Sequence, residues 1–257
     1  MSFDPKHWSN SHEGVCEKHG SWQVTLPASV TRVPTCPKCR DEEREARAAE
    51  ERRVEEEQER LEHIKRLVRL VRAPPRFANA EFDGFGDAGA AQSRIATIVR
   101  NYANAVANQT GGGRWLVLVG PPGTGKTHLG IAAALAVARE QRRALYLRLP
   151  DLLAALRASY AKGATESEAE ILDDIAKNFL VVVDEVMDGL SDHGQRVLFE
   201  LIDNRYARNL PLIIATNCTR LEFEAVIGDR AADRVAEQAS YLSCNWTSYR
   251  RRRRETS

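Results

Sequence analysis

Long apolar runs are missing from this 257-residue sequence. No stretch approaches the roughly 20 apolar residues needed to cross a bilayer, and the opening MSFDPKHWSNSHEG carries no hydrophobic core of a secretory leader. A membrane partner is therefore not expected. Net charge is nearly absent as well, with 37 basic against 36 acidic side chains. Cysteine is scarce and odd in number, five in all, which argues against a disulfide framework. No internal repeat is evident. The expectation is a soluble, cytoplasmic protein with one good-sized core and an appendage.

The charge balance hides segregation. Residues 41–60 carry ten acids against five arginines, whereas 250–254 is an unbroken basic run, the better candidate for nucleic acid. Residues 41–72 also lack Pro and Gly and are dominated by Glu, Arg and Ala, which predicts a helix nearly ~50 Å long. Its first half is polar all round and reads as a solvated spacer. Its second half sets Leu61, Ile64, Leu67, Val68 and Val71 on one stripe that should dock. Pro74-Pro75 closes it. Three zones result: an irregular module over 1–40, a charged helical arm over 41–75, and a larger domain over 76–257.

That larger domain alternates apolar runs at 115–119, 144–149, 179–183, 211–215 and 241–245 with helical stretches near 128–141, 151–161, 167–177, 193–208 and 229–238. Strands separated by helices require parallel pairing and right-handed crossovers, so the expected fold is an α/β sandwich. Between the first strand and its helix lies GPPGTGKT, residues 120–127, followed by His128. Gly120, Gly123 and Gly125 let the backbone curl into a nest of N–H groups. Pro121, Pro122 and Thr124 complete the loop. The next helix adds its positive end, Lys126 reaches the β and γ phosphates of a nucleotide, and Thr127 binds Mg²⁺.

FLVVVDEV supplies the other half of such a site. Asp184 emerges at the end of a buried strand, where ligands of parallel sheets gather, and is expected in the Mg²⁺ shell. Glu185 is expected to polarise the attacking water. After the next strand, Asn217 is placed at the same sheet edge, to orient water or touch the γ phosphate. Arg230 and Arg234 in GDRAADRV stand one helical turn apart and share a face. They either await an anion or pair with Asp229, Asp233 or Glu237.

GPPGTGKTH, FLVVVDEV, ATN, GDRAADRV and CNWTSYR together resemble the AAA+ ATPase domain of the DnaC-type replicative helicase loaders, whose relatives include the IstB transposition ATPases. The resemblance spans roughly residues 76–252. It implies a three-layer P-loop sandwich with sheet order 5-1-4-3-2, ATP as ligand, ATP-dependent self-association, and action on a hexameric DnaB-like helicase and single-stranded DNA. It also implies Arg234 as an arginine finger inserted into a neighbour's ATP site, supported by Arg230. No helical lid is expected, and Arg250 would take over its nucleotide contact.

Cys16-x-x-His19 and Cys36-x-x-Cys39, sixteen residues apart, form two chelating pairs with the spacing of a zinc knuckle. His7 and His12 stand in reserve. A segment so poor in aliphatics needs a metal for its order. Cys218 and Cys244 read as ordinary buried cysteines. This module departs from the best-known loaders and is nearer to phage or prophage versions. Three functions follow: a helicase loader, an IstB-like transposition helper on duplex DNA, or a zinc adaptor with a structural nucleotide site. Intact Asp184, Glu185 and Asn217 disfavour the adaptor, and the arm favours the loader. Tyr160 and Lys162 are candidates to stack on and pair with a single strand.

Overall fold

A computed structural model describes residues 10–26, 32, 34–83, 85, 89–110, 114–161 and 163–249. His7, Lys162, Arg250 and the 250–254 run lie outside them, as does everything that bears on a lid. The chain divides into two units, residues 1–61 and 62–257.

In the first unit, β1 (Asn10–Cys16) and β2 (Gly20–Leu26) form an antiparallel hairpin, paired from Asn10↔Leu26 to Cys16↔Gly20. The composition of residues 1–40 predicts irregular chain, and the structure differs in this hairpin. Only the weak alternation of Trp22, Val24 and Leu26 marks the strand, because its inner face is merely half-buried. Trp22 lies flat over Gly14 opposite it, where any Cβ would collide with the indole. The long helix α1 runs Pro37–Leu70. It starts four residues before the expected boundary, since Pro at a first helical position needs no N–H partner, and so takes in Cys39. Its exposed charges pair locally, as in Arg53 with Glu50 and Lys65 with Glu62, each worth only a few tenths of a kcal/mol.

Leu61, the last residue of the first unit, is exposed, whereas in the second unit the end of the α1 stripe is buried at Leu67 and Val71. A 3₁₀ turn at Pro75–Phe77 leads toward α2 (Ala90–Ala107). Then follow β3 (Trp115–Val119), α3 (Lys126–Arg139), β4 (Ala144–Arg148), α4 (Leu149–Ser159), α5 (Glu168–Ala176), β5 (Leu180–Val186), α6 (Asp192–Ala207), β6 (Leu212–Thr216), α7 (Arg220–Ile227), α8 (Asp229–Gln238) and β7 (Ala239–Ser243). The five strands β3–β7 make one parallel sheet in the order β4-β5-β6-β3-β7. Counted from β3, this is the expected 5-1-4-3-2.

Strand residues such as Val181, Val182 and Val183 are wholly buried, because apolar clusters cover both faces of the sheet. One cluster takes in α2 and α3, and the other takes in α4, α6, α7 and α8, giving three layers. Two helices were not foreseen. In α2, Ile95, Val99, Ala103 and Val106 recur at helical spacing, but β-branched residues and Asn blur the pattern. The short α7 had a legible start, a capping box between Thr219 and Glu222.

Candidate nucleotide site

GPPGTGKT forms the turn from β3 into α3. Gly123 and Gly125 have φ of +84° and +92°, a region side-chain residues rarely adopt. A Cβ on Gly123 would also strike Ser248. Gly125 is the N-cap of α3, so the loop opens on that helix's positive end. Thr124 is buried and its hydroxyl donates to Pro121 O at 3.0 Å. The Lys126 ammonium donates to Gly120 O at 2.6 Å and Pro121 O at 2.9 Å, and burial pushes its pKa down.

Across the sheet edge, Thr127 Oγ1 donates to Asp184 Oδ2 at 2.7 Å. The hydroxyl and the carboxylate expected to share Mg²⁺ thus meet, and both are the hard oxygen donors that this ion takes beside phosphates. Tyr146 donates to the same Oδ2 at 2.9 Å, and Glu185 N–H donates to Oδ1 at 2.8 Å. Burial, then the Asp184 charge, pushes the Tyr146 phenol up, so it stays a donor.

Glu185 sits where the β5–β6 register shifts between Val183 and Val186. Its φ is +59°, a backbone state costing about 1–3 kcal/mol for such a residue. Bulges of this kind re-aim side chains at active sites. The Glu185 carboxylate accepts from Arg148 Nη2 at 2.5 Å, a bond that pushes the guanidinium pKa up. Arg148 also reaches Asp151 at 3.2 Å.

Sequence reasoning missed Tyr146 and Arg148. Both stand on one face of β4, two residues apart, and a polar tip at alternate positions of ALYLRL was the available signal.

Two segments flank the loop. His128 Nε2–H donates to Glu81 O at 2.6 Å, and its ring stacks on Phe85 with centroids 5.5 Å apart. On the other side, Cys244 N–H donates to Val119 O at 2.7 Å, Trp246 Nε1–H to Thr124 O at 3.0 Å, and Tyr249 N–H to Gly123 O at 3.0 Å. Cys218 and Cys244 are buried as expected. Asn217 is exposed just past β6.

Arg230 is exposed on α8. Arg234 ion-pairs with Asp203 and lies over the rings of Phe199 and Tyr206, 5.3 Å from each centroid. This corrects the local pairing with Asp229, Asp233 or Glu237. The partner comes from α6, which packs beside α8 and is remote in sequence. Tyr160 is exposed and donates to Glu168 at 2.5 Å. In the first unit, Cys16, His19, Cys36 and Cys39 converge, with all four donor atoms within 4.8 Å of one another. His12 is not among them.

A family model described as IstB-like ATP binding protein matches residues 43–257. The chain is similar to the replicative helicase loader DnaC of Escherichia coli K12, 28% identical over 138 residues, covering 53% of this chain and 56% of that protein. It is also similar to a putative insertion sequence ATP-binding protein of Sinorhizobium fredii, 35% identical over 143 residues, covering 53% of this chain and 47% of the relative. The chain thus spans about half the length of these curated relatives. Among solved structures, a DnaC helicase loader superposes with a TM-score of 0.58 at 22% identity, covering 66% of this chain and 99% of that one. A DnaA initiator bound to AMPPCP and single-stranded DNA superposes at 0.55 with 20% identity, covering 66% and 50%. These likenesses show a shared fold, the P-loop α/β sandwich described above. Among the described residues, no helix is long and apolar enough to cross a membrane.

Proposed function

Because the chain belongs to the IstB-like ATP-binding family, we propose that it is an oligomeric, cytoplasmic ATPase that loads a hexameric replicative helicase onto single-stranded DNA. The observation that carries the ATPase reading is the meeting of Thr127, Asp184 and Glu185 beside an intact phosphate loop. In this reading Lys126 and the loop N–H groups bind the β and γ phosphates, and Thr127 and Asp184 hold Mg²⁺, which neutralises charge on the transferred phosphoryl group. Tyr146 keeps Asp184 oriented. Glu185, together with Asn217, orients the attacking water once freed from Arg148. Arg234, supported by Arg230, serves a neighbour's site. The N-terminal module is a zinc-held arm that grips the helicase.

A second reading, an ATPase helper of transposition, is favoured by the 35% identity to an insertion sequence protein. One set of assays separates the two. Lys126→Ala is expected to lose nucleotide binding, and Glu185→Gln to bind ATP while hydrolysing it at least ~100-fold more slowly. Wild-type protein with ATP is expected to co-purify with a DnaB-like hexamer and to be stimulated by single-stranded DNA. Stimulation by duplex DNA alone, with no helicase bound, would select the transposition reading. Parent-rate hydrolysis by Glu185→Gln would remove Glu185 from the mechanism.

A further inference from the structure

The four N-terminal donors differ from a chance group of thiols in their edge lengths. His19 Nδ1 lies 3.2 Å from Cys39 Sγ, 3.7 Å from Cys36 Sγ and 3.8 Å from Cys16 Sγ, and the sulfurs of Cys16 and Cys39 are 3.5 Å apart. A single imidazole nitrogen offers one hydrogen or one lone pair, so it can serve only one of three sulfurs in a hydrogen bond. One cation serves all four. A tetrahedral Zn²⁺ with Zn–S of about 2.3 Å and Zn–N of about 2.0–2.1 Å has donor–donor edges of roughly 3.5–3.8 Å, close to those observed. The other imidazole nitrogen turns away. His19 Nε2 lies 2.9 Å from Glu42 Oε1, and the second oxygen of Glu42 accepts from Lys18 at 2.6 Å.

We propose that Cys16, His19, Cys36 and Cys39 form a Zn²⁺ site in which His19 ligates through Nδ1 and Glu42 is its outer-shell partner through Nε2. The inference rests on the zinc reading of the module and adds the donor atom, the tautomer and a fifth residue.

The surroundings suit the charge. Three thiolates and a neutral imidazole leave a zinc site one unit negative. Cys36 immediately precedes α1 and Cys39 lies in its first turn, with Arg40 N–H already bonded to Cys36 O at 3.0 Å. The positive end of that helix therefore faces the thiolates. Lys18 offsets the further charge of Glu42. The ligands come from the hairpin turn and from the start of α1, so the ion joins β1–β2 to the helix where apolar burial is slight. Metal-bound histidines that donate their free N–H to a carboxylate are held in one tautomer and one orientation, and loss of that partner typically weakens metal binding 10–100-fold.

The test uses the full chain, stripped of metal and titrated with Zn²⁺ against a competing chromophoric chelator. Wild type is expected to take about one zinc per chain. Glu42→Ala is expected to keep that stoichiometry at saturation but bind about 10–100-fold more weakly. Glu42→Gln, which retains an acceptor for Nε2–H, is expected to recover most of the loss. Imidazole ¹⁵N shifts should report Nδ1 bound and Nε2 protonated. Unchanged affinity in Glu42→Ala, or ligation through Nε2, overturns the outer-shell assignment and leaves the zinc reading standing. No zinc in wild type, or a full equivalent retained in Cys36→Ser/Cys39→Ser, overturns both. Binding of a fluorescent ATP analogue by each variant checks that the second unit is folded.

Discussion

At the scale of single residues, Glu185 has a left-handed backbone and a carboxylate tied to Arg148. The backbone state is unfavourable in isolation, and strained conformations of this kind persist where the surroundings over-determine them. Here the bulge in β5 and the bond from Glu185 N–H to Asp184 do so. The side-chain tie is weaker than the backbone one. Both partners of the Arg148–Glu185 pair are more than a third exposed, so solvent screening limits it to about 1 kcal/mol. Arg148→Ala should therefore raise basal ATP hydrolysis by no more than about fivefold, measured as phosphate release without DNA. A fall in rate would instead make Arg148 a support that holds Glu185 in its working position.

At the scale of elements, the strands that carry the site are anchored from behind by α6. Arg205, 1% exposed, donates to Asn178 O at 2.7 Å, to Pro211 O at 2.8 Å and to Phe179 O. These carbonyls lie just before β5 and β6, the strands that carry Asp184-Glu185 and lead into Asn217. Burial pushes the Arg205 guanidinium down to about 10, and among the described residues its hydrogen bonds go to carbonyls rather than to a carboxylate. Arg205→Met would strip three carbonyls of their donor at ~1–3 kcal/mol each, partly offset by relief of the buried charge. With about 2–4 °C per kcal/mol for a domain of this size, a drop of roughly 6 °C or more in Tm is expected by calorimetry. An unchanged Tm would mean the carbonyls find other donors.

At the scale of the whole molecule, the proposed trans site requires copies of the chain to meet. Arg230 is exposed and Arg234 is held by Asp203, Phe199 and Tyr206. An inserted Arg234 must therefore exchange Asp203 for a neighbour's phosphate. Arg234→Ala should bind ATP normally, because its own pocket is untouched, and should lose hydrolysis by as much as the 10³–10⁵-fold typical of arginine fingers. Lys126→Ala has the opposite defect. Mixed, the two inactive proteins should recover part of the activity, since one kind of interface then joins a filled pocket to a working arginine. Absence of rescue in co-assembled, folded protein, with and without single-stranded DNA, would leave Arg234 as an internal brace between α6 and α8.

The sequence by itself determined the parallel α/β alternation, the phosphate loop, the Asp184-Glu185 pair at a strand end, and the two chelating pairs. Each is set by local order: apolar runs of strand length, glycines where the backbone must turn left-handed, donors with two residues between them. Even the strand order followed from family resemblance rather than from periodicity. What only the tertiary structure decided are the partnerships between distant segments. Arg148 meets Glu185, Tyr146 meets Asp184, Arg234 meets Asp203 and Glu42 meets His19, each pair brought together by packing that no local pattern encodes. The hairpin over 10–26 and the helix α2 belong to the same class. The hairpin's inner face is only half-buried and its strands are held by pairing with each other, while the apolar face of α2 is interrupted and is completed by packing on α3.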